Sequence, residues 1–98
     1  MTITKNQEGG TLVVSVEGRL DTVTAPQLES EINSSLAGVT ELVMDFAKLD
    51  YISSAGLRVL LSAQKKMNAQ GKMVVKNIND TIKEIFEVTG FCDILTVE

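Results

Sequence analysis

Two adjacent serines are the residues of this sequence best placed to do chemistry. Ser53 and Ser54 follow an apolar segment that ends at Ile52, and they precede Ala55, Gly56 and a helix-forming stretch. A serine at the start of a helix lies beside backbone N–H groups that have no partner within the helix. A phosphate on that serine would face these donors and the positive end of the helix dipole. The pattern is typical of a serine N-cap and of a phosphorylation site, and taken locally it favours the N-cap.

The side chains that most enzyme and metal sites require are missing. The sequence has no histidine and one cysteine, which excludes Ser-His-Asp and Cys-His arrangements and argues against a zinc site. It also lacks the glycine-rich phosphate-binding loops. Asp45 and Asp50 flank a predicted strand end, as the acids of phosphate-receiver pockets do, but the acidic pair and the lysine that complete such a pocket are absent. We interpret Asp45 as a strand-end or turn residue and expect no enzyme activity, no metal and no cofactor.

The charge balance disfavours two classes of partner. The 13 acidic residues outnumber the 9 basic ones, for a formal net charge of −4. An acidic surface repels phosphate backbones and anionic lipid headgroups. The densest basic group, formed by Lys65, Lys66 and Lys72, is interpreted as a solvated helix end. We therefore expect no nucleic-acid partner and no membrane partner.

The cysteine and the N-terminal sequence bear on the cell compartment. Cys92 follows Phe91 and precedes the apolar pair Ile94 and Leu95, so we predict a buried, reduced thiol, which suits the cytosol. The first ten residues, MTITKNQEGG, contain no apolar stretch of signal-peptide length, and no later run approaches membrane-spanning length. We expect a soluble, unprocessed cytoplasmic protein.

Alternating strands and helices must position the serines. Apolar and β-branched runs predict strands at residues 3–7, 11–17, 42–46, 73–75 and 91–97. Apolar residues at helical spacing predict helices from Thr24 to Gly38, over residues 54–70, and from a cap among residues 79–81 to Gly90. The order ββαβαβαβ predicts an α/β fold, with one domain over residues 1–98. Its mixed sheet opens with an antiparallel hairpin and packs against helices.

Three segments in matching register resemble the family of STAS-domain anti-sigma factor antagonists. Residues 51–57, YISSAGL, resemble the family's signature, which precedes an apolar helix. Residues 18–21, GRLD, with Thr24 and Ala25 after them, resemble the end of the family's second strand. Residues 85–91, IFEVTGF, resemble its last helix and the glycine-aromatic stop that follows. The resemblance covers nearly the whole chain.

The resemblance implies a partner-switching cycle in bacterial transcription regulation. In such a cycle the unmodified protein binds a serine-kinase anti-sigma factor, which then releases its sigma factor. The kinase phosphorylates the antagonist, which lets go, and a serine phosphatase resets it. By register, Ser54 matches the phosphorylated serine and Asp21 matches an acid of the kinase-binding surface. That partner-binding surface is further expected to include Thr24, Ser53, Ala55, Gly56 and Leu57.

The sequence departs from the family pattern at the acceptor. Many members have aspartate just before the acceptor, where this chain has Ser53, so Ser53 competes with Ser54 for the phosphate. Many members also have a further C-terminal helix, whereas this sequence ends at Glu98, so we expect that part of the surface to be shorter or missing.

Other interpretations stay open. STAS domains also serve systems without sigma-factor control, so the alternative function is an accessory or scaffold subunit of another signalling or transport system.

Asp21 is equally typical of a turn acid before Thr24. Arg19 is interpreted as a surface or strand-end residue, and Tyr51 as packing near the turn. We expect a monomer or a weak dimer.

Overall fold

The computed structural model describes all 98 residues as four strands, three α-helices and a short 3₁₀ turn. The strands are β1 (Thr2–Glu8), β2 (Thr11–Leu20), β3 (Glu41–Ile52) and β4 (Lys72–Lys76). The helices are α1 (Ala25–Asn33), α2 (Ser54–Gln70) and α3 (Asp80–Thr89), and the 3₁₀ turn spans Phe91–Asp93. No helix combines the length and the apolar character needed to cross a membrane.

The four strands form one mixed sheet in the order β1-β2-β3-β4. β1 and β2 form the predicted antiparallel hairpin, and β2, β3 and β4 run parallel to one another. Parallel neighbours need a crossover, which α1 supplies between β2 and β3 and α2 supplies between β3 and β4. The predicted α/β class and mixed sheet are confirmed.

One face of the sheet carries the core. Leu12, Val14 and Val16 of β2 are buried, whereas the residues between them are partly exposed, as alternation along a strand requires. Apolar residues of all three helices belong to the same cluster of 24 buried residues as these valines. The helices therefore cover one face. The other face of the sheet carries mostly polar side chains. Its exception is a row of three valines, Val13, Val43 and Val74, which lie side by side in the strand register.

Gly56, in the first turn of α2, lies against the last residues of β2 and β3. A Cβ atom built at this position would be 2.7 Å from Cγ of Leu20 and 2.7 Å from Cγ1 of Ile52. Both contacts are too short for non-bonded carbons, and both side chains are buried in the core. The absent side chain of Gly56 therefore lets the start of α2 rest directly on the strand ends.

The predicted last strand is reduced to one bridging pair. Residues 91–97 form the 3₁₀ turn and then a single parallel bridge between Val97 and Val75. Within this segment Phe91 and Leu95 turn toward the core, while Cys92 between them is exposed. The predicted buried thiol is wrong because the turn spacing, not strand alternation, decides which side chains face inward.

The first helix is shorter than predicted. α1 ends at Asn33, and the chain continues through turns in which Leu36 and Val39 are still buried. Apolar spacing extended the prediction to Gly38, because Leu36 contributes to the core without being helical. The helix α2 and the stop of α3 at Gly90, which adopts the left-handed conformation at φ 79°, are as predicted.

Substitution Gly56→Ala should destabilise the fold by about 1–3 kcal/mol, because the added methyl group overpacks Leu20 and Ile52. Urea unfolding followed by circular dichroism measures the change. The control is Ser62→Ala on the same helix, which adds no atom to the core and should change stability by less than about 0.5 kcal/mol. Equal stability of Gly56→Ala and wild type would contradict the close packing described above.

Candidate functional site

The carboxyl ends of β2 and β3 meet at one edge of the sheet. Leu20 pairs with Ile52, and the N–H of Ser53 donates to the carbonyl oxygen of Leu20 at 2.8 Å. The loop that begins at Asp21 and the helix that begins at Ser54 therefore leave the sheet side by side. The structure thus brings together the two segments that the sequence singled out separately.

The two serines differ in accessibility. Ser53 occupies the N-cap position of α2, but its hydroxyl oxygen is buried and has no hydrogen-bond partner. Ser54 is the first residue of the helix, and its side chain is exposed. The predicted side-chain N-cap bond is therefore absent at Ser53. Of the two hydroxyl groups, only that of Ser54 is open to a second protein.

Asp21 holds the neighbouring loop in shape. Its carboxylate oxygen Oδ1 accepts hydrogen bonds from the backbone N–H of Val23 at 3.0 Å and of Thr24 at 3.1 Å. The hydrogen bond from the Thr24 backbone is the main reason that the pKa of the Asp21 carboxyl lies below its usual value. The Val23 amide, the Thr24 hydroxyl and the charge of Arg19 lower this pKa further. Asp21 is therefore a negatively charged turn residue at neutral pH, beside the serines.

Thr24 closes the same loop from the other side. It stands at the predicted N-cap position of α1, but its hydroxyl makes no capping bond. Instead, the hydroxyl accepts the N–H of Asp21 at 2.9 Å and donates to the carbonyl oxygen of Arg19 at 2.8 Å. The loop is thus held by bonds within residues 19–24, which leaves its outer surface available.

The loop projects one apolar side chain into solvent. Val23 is 85% exposed, the largest value among the exposed large apolar residues. Val23 was not among the predicted site residues, although a valine within the polar run DTVT is a signal that could have found it. An apolar group held outward by a fixed loop, next to an exposed serine, has the character of a contact residue.

Arg19 and Tyr51 lie on the same edge of the sheet. They are register partners on β2 and β3, and the guanidinium carbon of Arg19 lies 4.6 Å from the centre of the Tyr51 ring. This distance is that of a cation–π contact. Both residues were interpreted as surface or packing residues, and the stacking gives them a fixed position beside the Asp21 loop.

The remaining predicted surface residues are only partly accessible. Ala55 is half-buried, whereas Gly56 and Leu57 are buried beneath the start of α2. A cavity of about 210 Å³ opens between the first turns of α1 and α2. It is lined by Thr22, Ala25, Pro26, Glu29, Ala55, Arg58 and Val59. Gly56 and Leu57 support this surface from below, and Ala55 reaches it.

Asp45 lies away from the serines, on the open face of the sheet. Its carboxylate accepts hydrogen bonds from the side-chain amide of Asn77 and from the N–H of Ala47, each at 3.0 Å. The Asn77 bond is the main reason that the pKa of Asp45 is lowered. Asp45 also borders a polar cavity of about 270 Å³ on this face. No group of three acidic or thiol side chains converges as metal ligands would.

The chain is similar to known proteins over nearly its whole length. The family model for the STAS domain matches residues 2–98. BtrV of Bordetella bronchiseptica is 36% identical to this chain over 99 residues. The alignment covers 99% of this chain and 85% of BtrV, and the name of BtrV assigns it provisionally as an anti-sigma factor antagonist.

Solved structures share the fold. An anti-sigma factor antagonist from Mycobacterium paratuberculosis superposes with a TM-score of 0.89 at 28% identity, over 98% of this chain and 83% of that one. The Bacillus cell fate determinant SpoIIAA in its phosphorylated form gives a TM-score of 0.77 at 20% identity, over 99% and 91% of the two chains. Its unphosphorylated form gives 0.78 at 19% identity, over 99% and 87%. This chain belongs to the STAS domain family.

Proposed function

We propose that this chain is an anti-sigma factor antagonist that works by partner switching. In the unmodified state it binds a serine-kinase anti-sigma factor, and phosphorylation of Ser54 by that kinase releases it. A serine phosphatase then restores the binding form. The names of BtrV and of the Mycobacterium paratuberculosis protein support the general role. These names do not specify a kinase, a phosphatase or an acceptor serine, so we infer all three for this chain.

The observation that carries the proposal is the contrast between the two serines. A kinase must bring its phosphate donor to the attacking hydroxyl, and the hydroxyl of Ser53 is buried beneath the helix start. Ser54 offers an exposed hydroxyl on the first residue of α2. The Asp21 loop, with Val23 projecting from it, provides a shaped surface next to the acceptor. A kinase could therefore bind this edge and modify it in the same complex.

A phosphate at this position would act through its charge. It adds about −1.5 to −2 charges at pH 7. At the start of α2 it would meet the positive end of the helix dipole, an interaction worth about 0.3–1 kcal/mol in its favour. The fold should tolerate it, whereas a partner packed on Ala55 and the Asp21 loop would have to bury the phosphate without a group of its own that pairs with it. Such a burial can cost several kcal/mol, which is enough to break a complex.

The overall fold is compatible with a phosphate. The phosphorylated and the unphosphorylated forms of SpoIIAA both share the fold of this chain, with TM-scores of 0.77 and 0.78. The proposed phosphorylation therefore requires no other fold.

The substitution Ser54→Ala should abolish phosphorylation while leaving partner binding intact, because only an exposed hydroxyl is lost. Stability should change by less than about 0.5 kcal/mol, since Ser54 is an exposed residue. The purified chain is incubated with ATP and the kinase that co-purifies with it, and phosphate is located by mass spectrometry. The matched control, Ser53→Ala, should be phosphorylated as wild type. Full phosphorylation of the Ser54→Ala variant would place the acceptor elsewhere and contradict the proposal.

Two substitutions at Asp21 separate its charge from its role in shaping the loop. Asp21→Asn keeps a side-chain oxygen that can accept from the N–H groups of Val23 and Thr24, whereas Asp21→Ala loses both charge and bonds. If the kinase recognises the charge, both variants should weaken binding about tenfold or more, as loss of a close charge pair does. Titration calorimetry with the co-purified kinase measures this. Wild-type affinity in Asp21→Asn would show that Asp21 only shapes the loop.

The alternative function has a clear signature. An accessory or scaffold subunit of another system would bind its partner without regard to Ser54. The absence of a co-purifying kinase, together with no phosphate on wild-type chain recovered from its native cell, would favour that alternative.

A further inference from the structure

Arg58 is the first charged residue of α2 after Ser54. It lies four residues further on, and residues at this spacing are neighbours on one helix face, with Cβ atoms about 5–6 Å apart. Both side chains are exposed. The spacing therefore places a cation within reach of any group carried by the Ser54 hydroxyl.

The direction of the helix favours contact between these two side chains. Side chains of an α-helix lean toward its N-terminus, so a long arginine covers the turn that precedes its own Cα. For Arg58 that turn begins at Ser54. An anionic residue followed by a cationic one four positions later is also the more favourable order of a helical ion pair.

Arg58 has no partner in the unmodified protein. The ion pairs in the structure join Lys5 with Glu31 and Lys72 with Glu41. Arg58 instead borders the cavity of about 210 Å³ between α1 and α2, which Glu29 also lines without forming an ion pair with Arg58. Its guanidinium group can therefore move to a new anion without breaking an ion pair or a hydrogen bond.

The other arginine is already engaged. Arg19 stacks on the ring of Tyr51, and its charge acts on the carboxylate of Asp21. Acidic groups near this end of the molecule, which include Asp21 in the loop and Glu29 on α1, would repel an added phosphate. Arg58 is thus the available positive charge that can offset them.

We propose that Arg58 binds the phosphate group of phosphorylated Ser54 within the same helix. This inference rests on the proposed phosphorylation of Ser54. A guanidinium group donates two parallel N–H bonds that match the geometry of phosphate oxygens. The pair holds the phosphate against the first turn of α2 and stabilises its dianionic form.

The test uses protein in which phosphoserine is installed at position 54 during translation, so that no kinase is needed. A ³¹P NMR titration measures the second pKa of the phosphate in wild type, in Arg58→Gln and in Arg58→Lys. The pKa should rise by about 0.2–0.4 unit in Arg58→Gln, the equivalent of one helical ion pair, and by less in Arg58→Lys. High salt should reduce the difference, because screening weakens an exposed pair.

The matched control is Lys65→Gln, which removes one exposed positive charge from the same helix, about 16.5 Å along the helix axis from Ser54 at 1.5 Å per residue. It should leave the phosphate pKa unchanged. A second readout needs no substitution: the ¹⁵N signal of Arg58 Nε should shift on installing the phosphate. Equal pKa values in wild type and Arg58→Gln, or an unmoved Nε signal, would overturn the pairing. Discovery of a different acceptor serine would overturn the proposed function instead, since the pairing is measured without the kinase.

Discussion

The close fit of Gly56 on the ends of β2 and β3 is the constraint on which the rest of the site depends. Leu20 and Ile52 end two parallel strands in register, and the bare backbone at Gly56 lets α2 begin directly above them. A side chain there would lift the helix start away from the sheet. The position of both serines relative to the Asp21 loop follows from this one contact.

The same contact explains why adjacent serines have different environments. Ser53 lies between the strand end and the helix, where its N–H bonds the carbonyl of Leu20 and its hydroxyl is buried. Ser54 is one residue further along, on the exposed side of α2. A one-residue step at a strand-to-helix turn thus converts a buried group into an accessible one. The proposed switch uses this difference, because it requires a hydroxyl that can be modified without disturbing the core.

Much of the fold was predictable from the sequence, because strands and helices leave period-2 and helical patterns and because glycines end the helices. The C-terminal segment was not, since Phe91 and Leu95 suit a strand as well as a turn. The site was predictable in its residue types but not in its bonds. The Asp21 turn is local, and the sequence already offered a turn acid as one interpretation of this residue. That Ser53 is buried beside Leu20, in contrast, depends on the register between β2 and β3. No local pattern in the sequence specifies that register.

The proposed switch requires that a phosphate on Ser54 weakens partner binding through a local change at this edge of the sheet. The most direct measurement is the affinity of the co-purified kinase for the chain with phosphoserine installed at position 54, compared with the unmodified chain, by titration calorimetry. We expect the phosphate to weaken binding by about a hundredfold or more, because burying a charged group for which the partner supplies no counter-charge costs several kcal/mol. Equal affinity for the two forms would contradict the account.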